Sequence, residues 1–350
     1  MPDVIRFDFD PMAAPFGLSI RLETLALCGV IFIVLVLIAL RAGRAPVPDV
    51  PTAAGSHETV EDSRGSRESG GRLRRDDLIL IAFGVVPGAV VGGRLSYILI
   101  HLDYYNANPG ALADPSRGGL GLTLAVVLGT ITGLAVARLL AAPIERWLHV
   151  AGVPVLLGLG FGKLTLLLGG AGQGRYSDSS LATSYVGSGP WGSLNPDFPA
   201  LPSQAIEAVL ILVAAAGVML VPLLLRLRFR PWRSVVRPGW SPRREWSLLN
   251  GGTGFATVIS LWIMARFVAA FTWRDAHVLG PFNAEQIVLL VVLALVLASP
   301  AVPADIRKAR GRWSAWRAAR AAAAQARHAA EVQAEVDARA AAETNNPAAR

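Results

Sequence analysis

Three cations stand inside apolar runs of this 350-residue chain: Arg94 in VPGAVVGGRLSYIL, Lys163 in GLGFGKLTLLLGG and Arg266 in SLWIMARFVAAF. Lys163 is one of only two lysines; elsewhere the chain uses arginine for positive charge. A charge at the centre of a membrane helix costs roughly 2.5–3.5 kcal/mol on insertion scales. One such residue can snorkel outward or bond a free carbonyl. Three together point to a pocket that holds an anion. The chemistry that suits such a pocket is electrostatic: cations bind a phosphate and stabilise negative charge as it develops on a leaving group. Two acids, Glu207 and Glu285, stand near the starts of later apolar runs and neutralise part of this charge. A phospholipid phosphate is the most available anion at that depth.

Other chemistries find little support. The single cysteine, Cys28, excludes an internal disulfide and a multi-cysteine metal site and reads as an ordinary helix residue. Neither the H-E-x-x-H zinc pattern nor the G-x-S-x-G hydrolase pattern occurs. His101 and His277 fall in loops, each a weak candidate proton acceptor. No metal and no cofactor is expected. A transporter is the weaker alternative, since no inverted repeat or pair of broken helices is evident.

The elements that must position these cations are membrane helices. The chain is 53% hydrophobic and 17% charged, where soluble domains sit near 25% charged. Spanning segments need about 20 apolar residues, and seven are expected: 24–40, 78–100, 119–142, 151–171, 203–225, 248–271 and 283–301. The fold class is therefore all-α and polytopic. Seven arginines fall in 41–77, seven in 226–247 and eight after 303, whereas the alternate loops 101–118, 172–202 and 272–282 hold one each. The positive-inside rule then places the N-terminus outside and the C-terminus in the cytoplasm. The net charge of +8 is placed for anionic lipid headgroups rather than for nucleic acid. Counted from the cytoplasmic start of each helix at about 1.5 Å per residue, Arg94, Lys163 and Arg266 lie roughly 24, 18 and 27 Å in, all in the outer half of the bilayer.

Glycine pairs at 84/88/92, 129/133 and 158/162 repeat the G-x-x-x-G spacing that lets membrane helices approach closely. Residues 41–76, poor in apolar side chains, are expected to form a disordered cytoplasmic loop. Residues 172–202 form a long extracytoplasmic loop over the pocket, either a gate for a peptide or a lid against water. Residues 303–350 form an Ala/Arg-rich helical tail after a domain spanning 1–302, with Trp313 and Trp316 suiting the inner membrane interface.

Six motifs, in order, resemble those of prolipoprotein diacylglyceryl transferase, the integral membrane enzyme of bacterial lipoprotein maturation. GGRLSY at 92–97 is similar to the family's GGRLGY, and GGLGLTLAVVLG at 118–129 to its GG-x-x-x-H-G-G region. GKLTLLLGGAGQGRYSD at 162–178 aligns without gaps on the signature GRxGNFxNxExxGRxTD. LPSQAIE resembles HPSQLYE, ARFVAAF resembles RF-x-x-E-F, and NAEQ resembles the family's s-x-x-Q. The resemblance covers about residues 15–302.

The resemblance implies transfer of a diacylglyceryl group from phosphatidylglycerol to the lipobox cysteine of prolipoproteins, at the bacterial cytoplasmic (inner) membrane. It implies Lys163, Arg94, Arg175 and Arg266 as phospholipid ligands, with Arg266 and Lys163 catalytic and Gln204, Glu207 and Thr123 supporting. The departures are as informative. Lys163 replaces the signature arginine and loses its fork. Leu166 and Gly169 replace asparagines, Ala171 and Ala270 replace glutamates, and Thr123 falls where the family has histidine. A paralogue that binds phospholipid or signal peptide without transferring anything is the alternative.

Overall fold

The computed structural model describes residues 4–44, 73–112, 119–193, 197–228, 251–299 and 325. The chain divides into two compact units, Met1–Leu297 and Ala298–Arg350, and nearly all described residues belong to the first. Its helices are α1 (Leu22–Arg44), α2 (Arg75–Ile100), the short α3 (Leu102–Ala107), α4 (Leu122–Leu139), α5 (Ile144–Thr165), α6 (Ser203–Arg228), α7 (Gly251–Ala269) and α8 (Ala284–Ala298). Among the described residues, a helix lies within each of the seven expected segments. Six helices among the described residues are long and apolar enough to cross a membrane. The last, α8, has 15 residues and is about 22 Å long at 1.5 Å per residue, short of a hydrocarbon core of about 30 Å.

Burial is distributed as lipid would demand. Large apolar side chains such as Phe32, Phe83, Val91, Val213 and Leu295 are turned outward, while the polar residues Gln204, Glu207, Arg266 and Glu285 are buried. A helix apolar all round has nothing to gain from water on its outer face.

Close approach sets the helix pairs. α2 lies along α4, and a Cβ added at Gly88 or Gly92 would clash with the α4 backbone at Leu128 or Leu124. Gly129 and Gly133 meet Val85 from the other side. The G-x-x-x-G spacing thus does here what small-residue stripes do in membranes, exchanging side-chain volume for backbone contact. α5 is central, packed on α1, α6 and α7. One core cluster joins Leu156, Ile211, Trp262, Ile263 and Leu289 from α5, α6, α7 and α8. Another joins Ile38, Leu78, Ala137 and Trp147 at the opposite end of their helices.

The fold is mostly helical, and a few short strands accompany the helices. Among the described residues three two-stranded sheets are present: β1 (Ile5–Phe7) pairs in parallel with β4 (Thr183–Tyr185), β2 (Met12–Ala13) pairs with β3 (Ile20–Arg21), and β5 (His277–Leu279) pairs with β6 (Phe282–Asn283). They are short because they serve the connections: buried loop backbone must find partners, and a few ladder bonds supply them. Cys28 lies on α1 but is exposed, so it does not pack in the bundle. The loop expected at 41–76 has helix at both edges, Arg41–Arg44 in α1 and from Arg75 in α2, and its middle, 45–72, lies outside the described residues, as does the tail expected at 303–350, with Trp313 and Trp316, apart from residue 325.

Candidate functional site

The buried charges gather at one end of the bundle. Thr123 and Glu285 sit in the first turns of α4 and α8 and Glu207 just past the first turn of α6, while Lys163 and Arg266 sit in the last turns of α5 and α7. Alternation of helix direction puts these starts and ends at a common level, so residues far apart in sequence meet. Glu207 is the hub. One of its oxygens pairs with Lys163 Nζ at 2.9 Å and the other with Arg266 Nη1 at 2.7 Å. Arg266 then reaches Glu285 Oε1 through Nη2 at 2.9 Å and Nε at 3.0 Å. The Thr123 hydroxyl donates to the same Glu285 oxygen and lies 3.2 Å from Arg266 Nε. Glu207 and Glu285 are each 1% exposed.

Two cations and two carboxylates sum to no net charge, which is how a buried ion network survives outside water. Their oxygens are not equally used. Both oxygens of Glu207 are paired, whereas Glu285 Oε2 is buried with no hydrogen-bond partner. Arg266 also lies with its guanidinium 4.6 Å from the centre of the Trp273 ring. Cation–π attraction strengthens when both groups are desolvated.

Gln204 stands one helical turn before Glu207. Its Nε2 donates to the Tyr185 hydroxyl oxygen at 3.4 Å and its Oε1 has no partner. Tyr185 belongs to an aromatic cluster with Phe7 and Trp191. Burial pushes its phenol up to about 12, with a smaller upward push from Glu23.

Of the expected ligands, Lys163 and Arg266 are brought together through one shared carboxylate. Arg94 is held by another part of the bundle: its Nη2 donates to the Ala111 carbonyl at 2.9 Å and its guanidinium lies 5.5 Å from the Tyr105 ring. Arg175 is an exposed side chain on ordered backbone, its N–H donating to the Thr272 carbonyl at 2.9 Å. With Trp273, Arg274, Asp275, His277 and Gln286 it lines a cavity of about 280 Å³. His101 lies against Tyr97, ring centres 4.2 Å apart, with Nδ1 2.9 Å from the Tyr97 carbonyl.

The described parts of the 172–202 connection, 172–193 and 197–202, are tied down by hydrogen bonds. Gln173 Nε2 donates to the Thr183 carbonyl at 2.8 Å, Gly174 N–H to the Leu201 carbonyl at 2.8 Å, and the Ser193 hydroxyl to Gln173. The Arg274 Nε–H reaches the Gly174 carbonyl, tying this loop to the one after α7.

One contact had no signal in the sequence. Glu23, at the start of α1, bonds Arg21 through Oε1 at 2.8 Å and turns its other oxygen, buried and unpartnered, onto Gly169. A Cβ at 169 would collide with that carboxyl. Trp273 and Tyr185 were missed as well, since aromatic residues in loops carry no spacing that singles them out.

Residues 59–300 match the family model described as prolipoprotein diacylglyceryl transferase. The phosphatidylglycerol–prolipoprotein diacylglyceryl transferase of Geobacter sulfurreducens is 32% identical over 153 residues, 42% of this chain and 54% of that protein. That of Desulfotalea psychrophila is 30% identical over 155 residues, 41% of this chain and 49% of the relative. A longer alignment, 25% identical over 247 residues, covers 69% of this chain and 80% of the protein of that name from Dehalococcoides mccartyi strain BAV1. The chain spans about half the length of the first of these relatives.

Proposed function

The chain belongs to the prolipoprotein diacylglyceryl transferase family, and we propose that it moves a diacylglyceryl group from phosphatidylglycerol to the lipobox cysteine of prolipoproteins. Glycerol phosphate is the other product. The reading takes the protein as multi-pass in the bacterial cytoplasmic membrane, with α8 completing seven spans, the N-terminus outside and the ionic network beneath the outer face. The observation that carries it is the pairing of Lys163 and Arg266 through Glu207 in a buried site assembled from α4, α5, α6, α7 and α8.

An incoming phosphate competes with Glu207 for these two cations. Lys163, on a flexible stem, turns from the carboxylate to the phosphate more readily than Arg266, which Glu285, Thr123 and Trp273 hold in place. Both then oppose the charge that develops as the phosphate departs, and this kind of preorganised stabilisation is commonly the largest catalytic term. Arg94 and Arg175 serve as outlying phospholipid contacts, and Gln204 and Thr123 keep the network oriented. The 172–202 loop admits the signal peptide.

A second reading, a paralogue that binds lipid or signal peptide without transfer, draws support from the same network, since its cations are already neutralised. Complementation separates the two. Expression in a strain depleted of its own transferase is expected to restore growth and lipoprotein lipidation. If it restores neither while Lys163→Ala alters the phospholipid that co-purifies, the binding-only reading stands.

A further inference from the structure

Transfer to a thiol needs somewhere to put the thiol's proton, and the network holds two buried carboxylates that differ in what they have left to offer. Glu207 spends one oxygen on Lys163 and the other on Arg266. Glu285 loads a single oxygen with everything: the Thr123 hydroxyl, Arg266 Nε and Arg266 Nη2 all converge on Oε1. That leaves Oε2 buried and without a hydrogen-bond partner. A buried carboxylate oxygen without a donor is costly to keep, and a fold that keeps one has a use for it. We infer that Glu285 is the proton carrier of this site, with Oε2 the atom that takes the proton; this rests on the transferase reading.

A carboxylate paired with arginine is a poor base, and the network itself corrects this. When phosphate arrives on Arg266 and Lys163, the guanidinium divides its hydrogen bonds between phosphate and Glu285 and loosens its hold on that carboxylate. The charges facing Glu285 are few and known. Arg266 from α7 and Thr123 from α4 touch it. Lys163 from α5 and Asp275 from the loop after α7 feel its charge, and Glu207 from α6 stands across Arg266. Asp275, whose carboxyl burial pushes up, sits in the cavity under Trp273 and is not bonded to the network.

The step balances. The thiol gives its proton to Glu285 Oε2, and the thiolate attacks the glycerol carbon that carries the phosphate. A C–S bond forms, the C–O bond breaks, and its electron pair leaves on the phosphate oxygen. The departing phosphomonoester, with a second pKa of about 6, takes the proton back from Glu285, and the network returns to its starting charge. The residue therefore shuttles one proton from nucleophile to leaving group.

The test uses the full-length protein in phosphatidylglycerol nanodiscs and two lipobox peptides, one with cysteine and one with selenocysteine, under reducing conditions. A selenol is already ionised near neutral pH and needs no acceptor. Glu285→Gln is expected to slow transfer to the thiol by about 100-fold or more, to leave transfer to the selenol within a few-fold, and to regain thiol transfer as pH rises. Glu285→Asp keeps the charge and the fold and sets the carboxyl back by one methylene, so it should show the same thiol-specific loss in milder form. Equal slowing of both peptides by either variant, or no slowing, overturns the proposal. A wild-type protein that retains phosphatidylglycerol but transfers to neither peptide overturns the transferase reading, and this role with it.

Discussion

Replacing Glu207 with glutamine keeps the shape of the hub and removes its charge. The wild-type balance of Lys163 and Arg266 against Glu207 and Glu285 is zero; in Glu207→Gln it becomes two positive against one negative, a net +1. At an effective dielectric of about 20, each contact at this range is worth about 4–6 kcal/mol before desolvation. Measured losses on removing one partner of a buried pair are about 3–5 kcal/mol. Taking ~3 kcal/mol, the folded-to-unfolded ratio falls by roughly 150-fold at ~1.4 kcal/mol per factor of ten. The same substitution removes the group that competes with phosphate. Thermal unfolding in detergent should thus show a clear loss in plain micelles, most of it recovered on adding phosphatidylglycerol and little of it on adding phosphatidylcholine. Phosphatidylglycerol should also be retained more tightly than by wild type. A variant as stable as wild type, or one rescued equally by both lipids, would refute the view that Glu207 holds the place of a phosphate.

Two further predictions concern the same end of the bundle. Gly169→Ala drives a methyl into the Glu23 carboxyl and should cost about 1–3 kcal/mol, as overpacking does; Glu23→Ala should suppress most of that loss in the double variant, as read by unfolding in detergent. The Tyr185 phenol, ordinary value 10.0, is pushed up to about 12 by burial. The folded protein therefore holds that proton where the unfolded chain has released it, so stability should fall as pH rises from 10 to about 12. Tyr185→Phe should flatten this part of the pH profile in a melting series, and an unchanged slope would count against it.

What could be read from the sequence was depth. Apolar length and the arginine distribution assign Lys163 to the end of one helix and Glu207 and Glu285 to the starts of others, and the structure has all three within one network. Pairing was harder to see. Nothing local in LTL says that Thr123 will donate to an acid 162 positions away, and Glu285 read only as a nearby acid because its spare oxygen is a matter of angle. Arg94 has the same composition and depth as the others, yet it is held by the 102–112 segment, whose short helix and turn carry weak signals. The pairing of Ile5–Phe7 with Thr183–Tyr185 joins segments too far apart in sequence for local propensity to register. Substitutions at family positions read as losses one by one. In space, acids from other helices stand close to two of them, Glu23 against Gly169 and Glu285 beside the segment that carries Ala270.

Mass spectrometry of a lipobox peptide, incubated with the purified protein in phosphatidylglycerol nanodiscs, bears most directly on the central claim. The peptide should gain one diacylglyceryl group on its cysteine, with an equal amount of glycerol phosphate released, and Arg266→Ala should abolish both. An unmodified peptide beside protein that has bound phosphatidylglycerol would contradict it.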